Sequence, residues 1–270
     1  MKSIKHKIMV MSNKGGVGKS SVSLNLAYGL YEAGKSVGIL DADLHGPSMA
    51  KMVGVQDKRL LSNGAWIVPI ELRPGLKLVS VALILGSPDK PIIWRGPMKM
   101  KAIKQFIEGV DWGDLDYLII DSPPGTGDEP LSVIQLISQI DGVIIVTTPQ
   151  DIALLDSRKA VNFARELKTP VLGIIENMSG FTCPHCNKQI DLFKRGGGEK
   201  AAGEMGVPFL GRIPLDPQVV ESGDMGDPFI KTGSAASEAM KNIVNMLLTE
   251  KTAACKDNKS ENVSQSNIRK

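Results

Sequence analysis

Aromatic residues are scarce here, at 4% of 270 positions, so any core must be built mainly from Ile, Leu, Val and Met. No apolar run approaches the about 18 residues that a membrane-spanning helix needs. Charge of one sign is also lacking. The net charge is +3 with no basic block, which argues against nucleic acid or an anionic membrane as partner. Met1 to His6 is basic, but the apolar run behind it, Ile8 to Met11, is too short for a signal peptide, and a cytoplasmic protein is expected. Three cysteines make no disulfide framework, and in a reducing compartment a close pair reads as a metal or redox site. No internal repeat is present.

Short apolar runs alternating with helical stretches fill the chain. Lys7 to Ser12, Ser36 to Asp41, Leu76 to Val81, Asp116 to Asp121, Gly142 to Thr147 and Val171 to Glu176 are apolar on both parities, as strands covered on both faces are. Phe209 to Ile213 adds a further strand. Ser20 to Ala33, Pro130 to Gln139, Ile152 to Leu167 and Ser234 to Thr249 read as helices. Such alternation predicts an α/β fold, a mostly parallel twisted sheet with helices on both faces. Val53 to Gly75, punctuated by Gly, Pro and Asn, reads as an insertion with a short hairpin. Residues 1–250 are expected to form a single domain. From Lys251 to Lys270 the chain is polar, with little to bury, and reads as a disordered tail.

Between the first strand and the first helix lies Lys14-Gly15-Gly16-Val17-Gly18-Lys19-Ser20. Strand, Gly-rich turn and helix in succession are the context of a phosphate-binding P-loop. Backbone N–H groups of Gly15, Gly16, Val17 and Gly18 can curl around a phosphate, helped by the helix dipole. Lys19 can neutralise β- and γ-phosphate charge, Ser20 can ligate Mg²⁺, and Ser21 can reach the α-phosphate. The standard motif has Gly at position 13, where this chain has Asn13. The variant resembles the deviant Walker A loop of the MinD/ParA/Mrp class of P-loop ATPases. That resemblance implies that Lys14 reaches the nucleotide of a partner subunit, as an arginine finger does, and hence a homodimer.

Two strands end in carboxylates. Ser36 to Leu40 runs into Asp41-Ala42-Asp43, and Tyr117 to Ile120 into Asp121-Ser122-Pro123-Pro124-Gly125. In open α/β sheets ligands sit at the carboxyl ends of strands, which brings both groups near the phosphate loop. Asp121 reads as a Walker B aspartate for Mg²⁺, Asp43 as the group that orients the attacking water, and Asp41 as metal support. The competing reading of each is a turn former or N-cap. In the resembled class an Asn after a late strand contacts adenine. Asn177 matches it, with Asp216 as a second base contact.

The remaining chemical feature is Cys183-Pro184-His185-Cys186. A redox motif would follow a strand and open a helix. A structural zinc site needs four ligands, and His185 is poorly placed to join its neighbours on one ion. Two thiolates become four if a two-fold axis sets one pair against its copy. Four thiolates suit a [4Fe–4S] cluster or zinc alike.

Several further segments accompany the loop: Asp41-Ala42-Asp43-Leu44-His45-Gly46-Pro47-Ser48, Trp94-Arg95-Gly96-Pro97-Met98, Asp121 to Asp128, Glu176-Asn177-Met178-Ser179 with the cysteine pair, and Gly196-Gly197-Gly198-Glu199-Lys200. Together, from about Ile8 to Leu248, they resemble the Mrp/ApbC family of iron–sulfur cluster carrier ATPases. The resemblance implies ATP binding, slow hydrolysis with Mg²⁺, a [4Fe–4S] cluster bridging a homodimer through Cys183 and Cys186, and delivery to apo iron–sulfur proteins. The extra N-terminal domain or cluster motif of many members is not expected here. The family often has Phe-Gly where this chain has Phe193-Lys194. The segment Trp94 to Pro97 is assigned to a switch or dimer surface. Two other functions compete. A MinD/ParA-type positioning ATPase would want a basic amphipathic membrane helix, which the tail cannot form, and would leave the cysteines idle. A zinc-stapled regulatory ATPase would use them structurally.

Overall fold

The computed structural model describes residues 3–43, 46–83, 96–137, 139–183, 185–186 and 188–249. Trp94, Arg95, His45 and the tail with Cys255 lie outside them. In chain order the elements are β1 (Ile4–Met11), α1 (Lys19–Glu32), β2 (Val37–Asp41), α2 (Met49–Met52), β3 (Leu61–Ser62), β4 (Ile67–Val68), β5 (Ile70–Arg73), β6 (Leu76–Ser80) and α3 (Gly96–Glu108). They continue with β7 (Leu115–Asp121), α4 (Asp128–Leu136), β8 (Gly142–Thr147), α5 (Asp151–Glu166), β9 (Val171–Glu176), β10 (Phe181–Thr182), β11 (Gln189–Ile190), α6 (Gly197–Met205), β12 (Phe209–Arg212) and α7 (Pro217–Met225). A closing helix, α8, spans 235–249.

One eight-stranded sheet runs in the order β12-β9-β8-β1-β7-β2-β6-β5. The ladders from β12 to β6 are parallel, and β5 lies antiparallel on the edge. The sequence reading of a mostly parallel sheet agrees with this, and strand ends differ from it by a residue or a few. β1 starts at Ile4 rather than Lys7 because Ile4 is buried and paired with Leu115.

Alternate strand residues divide between two cores, which is why the strand sequences show no polar parity. Ile8, Val10, Val37, Ile39, Tyr117 and Ile119 face a core shared with α1 and α8. Met9, Met11, Leu40, Leu118 and Ile120 face another, shared with α3 and α4. Helices therefore cover both faces. α1 is buried nearly all round, and Gly29 lets α8 approach it, since a Cβ there would meet Val244 Cγ2 at 2.6 Å.

The insertion between α2 and β6 holds the β3–β4 hairpin, as its turn residues predict. β2 and β6 lie to one side of β1, and β8, β9 and β12 to the other. The order thus reverses beside the central strand, where the loops at the carboxyl ends open a crevice.

Candidate functional site

β1 ends at Met11, and the loop that follows turns through Gly16 at φ +80° and Gly18 at φ +83° before α1 begins at Lys19. Both values lie in the left-handed region that glycine enters without steric penalty. No side chain caps α1, so its first N–H groups remain available to an anion. A cavity of about 430 Å³ lies over this end, lined by Gly15, Gly16, Gly18, Lys19, Ser20 and Asp43 among others.

Within it, Lys19 Nζ lies 2.8 Å from Asp121 Oδ2 and 3.8 Å from Asp43 Oδ2. Ser20 Oγ donates to Asp121 Oδ2 at 2.6 Å, and Ser23 Oγ to Asp121 Oδ1 at 2.7 Å. The two strand-end carboxylates are in register, since Asp41 pairs with Asp121 across β2 and β7. Asp41 is buried and accepts from Ser80 Oγ at 2.8 Å. Burial first, then the charge of Asp121, hold its carboxyl well above the usual carboxylate range, against the opposing pull of Ser80 and Lys19. Three buried carboxylates thus share one buried lysine. A hard divalent cation would find only oxygen donors in Ser20, Asp121 and Asp41.

Lys14 sits at the mouth of the loop, half exposed, 3.0 Å from Asp156 Oδ2 on α5. Asn13 Nδ2 donates to the other oxygen of the same carboxylate at 2.7 Å. The residue that departs from the standard motif is therefore part of a tether on this arm of the loop.

On the other flank, Asn177 Nδ2 donates to Val17 O at 2.9 Å. A Cβ at position 18 would lie 2.2 Å from that nitrogen, so Gly18 serves the approach as well as the turn. Asn177 and Asp216 border one cavity of about 330 Å³, with Gly18, Ser21, Met52 and Val219. Asp216 also caps α7, accepting from Gln218 N at 3.0 Å. Asp216 thus both caps α7 and lines this cavity.

The cysteine pair lies between β10 and β11, joined by a bond from Cys183 N to Lys188 O at 3.0 Å. Cys186 is exposed and Cys183 half-buried. The N–H of His185, then that of Cys186, point at the Cys183 sulfur and hold its thiol below the usual value. A short strand follows the pair, so the helix that a thioredoxin-like motif would open is missing among the described residues. Among those residues no group of three or more His, Cys, Asp or Glu could hold a metal ion. The pair offers two ligands, and Ile190, Leu192 and Phe193, a few residues downstream, are exposed.

The sequence reading did not assign Asp156, Ser23, Ser80 or a role for Glu176. Only Glu176 had a signal of its own, as a third acidic residue ending an apolar strand. Lys194 has φ +69°, a glycine conformation occupied here by lysine.

Comparison with known proteins follows the same lines. A family model described as NUBPL iron-transfer P-loop NTPase matches residues 3–248. The chain is 53% identical over 248 residues to an iron-sulfur cluster carrier protein of Methanocaldococcus jannaschii, covering 92% of this chain and 86% of that one. It is 48% identical over 250 residues to a protein of the same name from Saccharolobus solfataricus, covering 92% and 84%. Among solved structures, a nucleotide-binding protein in complex with ADP from Archaeoglobus fulgidus superposes with a TM-score of 0.76 at 37% identity, covering 88% of this chain and 92% of that one. MinD of Pyrococcus horikoshii, complexed with Mg-ADP, gives 0.64 at 22% identity, covering 90% and 96%, a likeness of fold. No helix among the described residues is long and apolar enough to cross a membrane.

Proposed function

The chain belongs to the iron-transfer P-loop NTPase family, and from that premise we propose that it is an ATP-hydrolysing carrier that holds a [4Fe–4S] cluster across a homodimer and delivers it to apo-proteins. One observation carries the proposal: a solvent-accessible cysteine pair with no third ligand beside it among the described residues, on the segment that begins with the phosphate-loop contact Asn177. Two thiolates from each of two subunits make the four that such a cluster takes. An exposed site bridging two chains suits release.

The geometry supports a set of nucleotide roles. Lys19 would leave Asp121 and Asp43 for the β- and γ-phosphates, drawn by the larger negative charge. Ser20 and Asp121, supported by Asp41, would hold Mg²⁺, which would neutralise charge developing on the phosphates. Asp43 would orient water, while Gly15 to Gly18 and Ser21 would bind phosphate, and Asn177 and Asp216 the base. Lys14 would exchange Asp156 for a partner's nucleotide.

Anaerobic reconstitution with iron and sulfide tests the proposal. The protein should gain the broad visible absorbance of an iron–sulfur cluster, and Cys183→Ala and Cys186→Ala should each lose it. A colourless protein carrying stoichiometric zinc would favour a zinc-stapled ATPase and sink the carrier.

A further inference from the structure

Glu176 is fully buried and ends β9, yet its carboxylate takes no part in the phosphate site. It turns instead toward the segment that carries the cysteines. Ser179 Oγ donates to Oε1, Gly196 N donates to Oε1 at 2.9 Å, and Gly198 N donates to Oε2. Arg212 Nε lies 3.5 Å from Oε1. Ser179 is where the chain leaves for the cysteine hairpin, and Gly196 to Gly198 is where it returns into α6. One carboxylate therefore closes the neck of the excursion over residues 180–195, with donors from both sides.

The fit needs this residue. Both oxygens accept, and two of the donors are N–H groups at the start of α6, where the helix dipole favours negative charge. A Cβ on Gly198 would lie 3.0 Å from Glu176 Cβ and 3.1 Å from its Oε2, so glycine is what allows the approach. An amide in place of the carboxylate would aim its own N–H₂ at one of these donors.

The neck is also joined to the phosphate loop. Asn177, the next residue, holds Val17 O. Met178 then takes φ +56°, a strained turn for a non-glycine residue, between that contact and Ser179. On the return side, Phe193 lines a cavity of about 340 Å³ together with Lys14, Gly15 and Gly16. The cysteine excursion thus bonds to the loop at its departure and borders the same cavity as the loop at its return.

We propose that Glu176 is a positioning residue that clamps the neck of the cysteine excursion and transmits occupancy of the phosphate loop, sensed through Asn177, to the exposure of Cys183 and Cys186. It deepens the carrier reading, on which it rests for its purpose, by giving the nucleotide a physical route to the cluster ligands.

The test uses metal-free full-length protein carrying Cys255→Ser, so that only the two hairpin thiols react. Iodoacetamide alkylation of each thiol is followed by mass spectrometry, with and without saturating Mg²⁺ and a non-hydrolysable ATP analogue. Nucleotide should change the rate by about fivefold or more, the usual range of coupling between sites. Glu176→Gln should still bind the analogue and keep a cooperative melt, while its alkylation rate no longer responds. A merely structural role would lower melting and binding together instead. If Glu176→Gln fails to fold, Ser179→Ala removes the departure-side donor alone, and a weakened response supports the clamp. Thiol rates indifferent to nucleotide in the unsubstituted hairpin, or a full response in a folded variant, overturn it. Because no cluster is present, failure to reconstitute one would sink the carrier reading and leave this result standing.

Discussion

At the scale of single residues, side-chain type and backbone conformation disagree at Lys194 as they do at Met178. Lys194 occupies φ +69°, which a residue with a Cβ adopts at a penalty of about 1 kcal/mol. Lys194→Gly should therefore raise stability by roughly 0.5–1 kcal/mol, offset in part by the freedom glycine gains when unfolded. Lys194→Val should lower it, because β-branching fits this conformation worst. Urea denaturation midpoints of the three proteins decide the matter, and a Gly variant less stable than the Lys form would refute the argument. The phosphate-loop residues show the opposite pattern. Gly16 and Gly18, at φ +80° and +83°, were legible from sequence because a P-loop needs such turns. Asp156 was not legible, because an aspartate on an amphipathic helix looks like any solvated one until the fold puts it beside Asn13 and Lys14.

Elements are tied together by a few polar contacts where hydrophobic alternation gives no register. Asp116 of β7 accepts from Ser36 N at 2.9 Å, just before β2, and its other oxygen meets Lys5 of β1 at 2.8 Å. The Lys5 ammonium, then the Ser36 N–H, hold its carboxyl down at about 2. The folded value lies below the unfolded 3.8, so this stabilisation is present above about pH 4 and is lost as pH falls through 2. Water screens the pair, so its contribution is about 1 kcal/mol rather than the ~2.5 kcal/mol of a buried shift. Asp116→Asn should be less stable than wild type by about that amount at pH 6, and the gap should close progressively below pH 4. Equal urea midpoints at pH 6 would remove Asp116 from the list of strand ties. The strands themselves were readable from sequence because both faces are covered. The two-residue strands flanking the cysteines were not, since so short a ladder leaves no periodic signal.

For the whole molecule, the proposed dimer makes a prediction that no single-chain reading shares. If each site combines its own Lys19 with the partner's Lys14, both Lys14→Ala and Lys19→Ala should lose ATP turnover. Mixed in equal amounts, the two inactive proteins should recover about a quarter of wild-type turnover. Random exchange makes half the dimers mixed, and each of those has one complete site of two. No recovery after subunit exchange, or full turnover in Lys14→Ala alone, would place Lys14 outside the site.

Local order in the chain determined the strand–loop–helix of the phosphate site, the acidic strand ends and the spacing of Cys183 and Cys186, because each is written in adjacent residues. The parallel sheet was determined as well, since strands apolar on both parities demand cover on both faces. Tertiary structure alone decided which distant groups meet. Asp41 and Asp121 become neighbours through the register of β2 and β7, Lys14 finds Asp156 on α5, and Glu176 gathers donors from Ser179 to Arg212. Such meetings depend on strand order and helix placement, which follow from packing the entire core and leave no mark on any one segment.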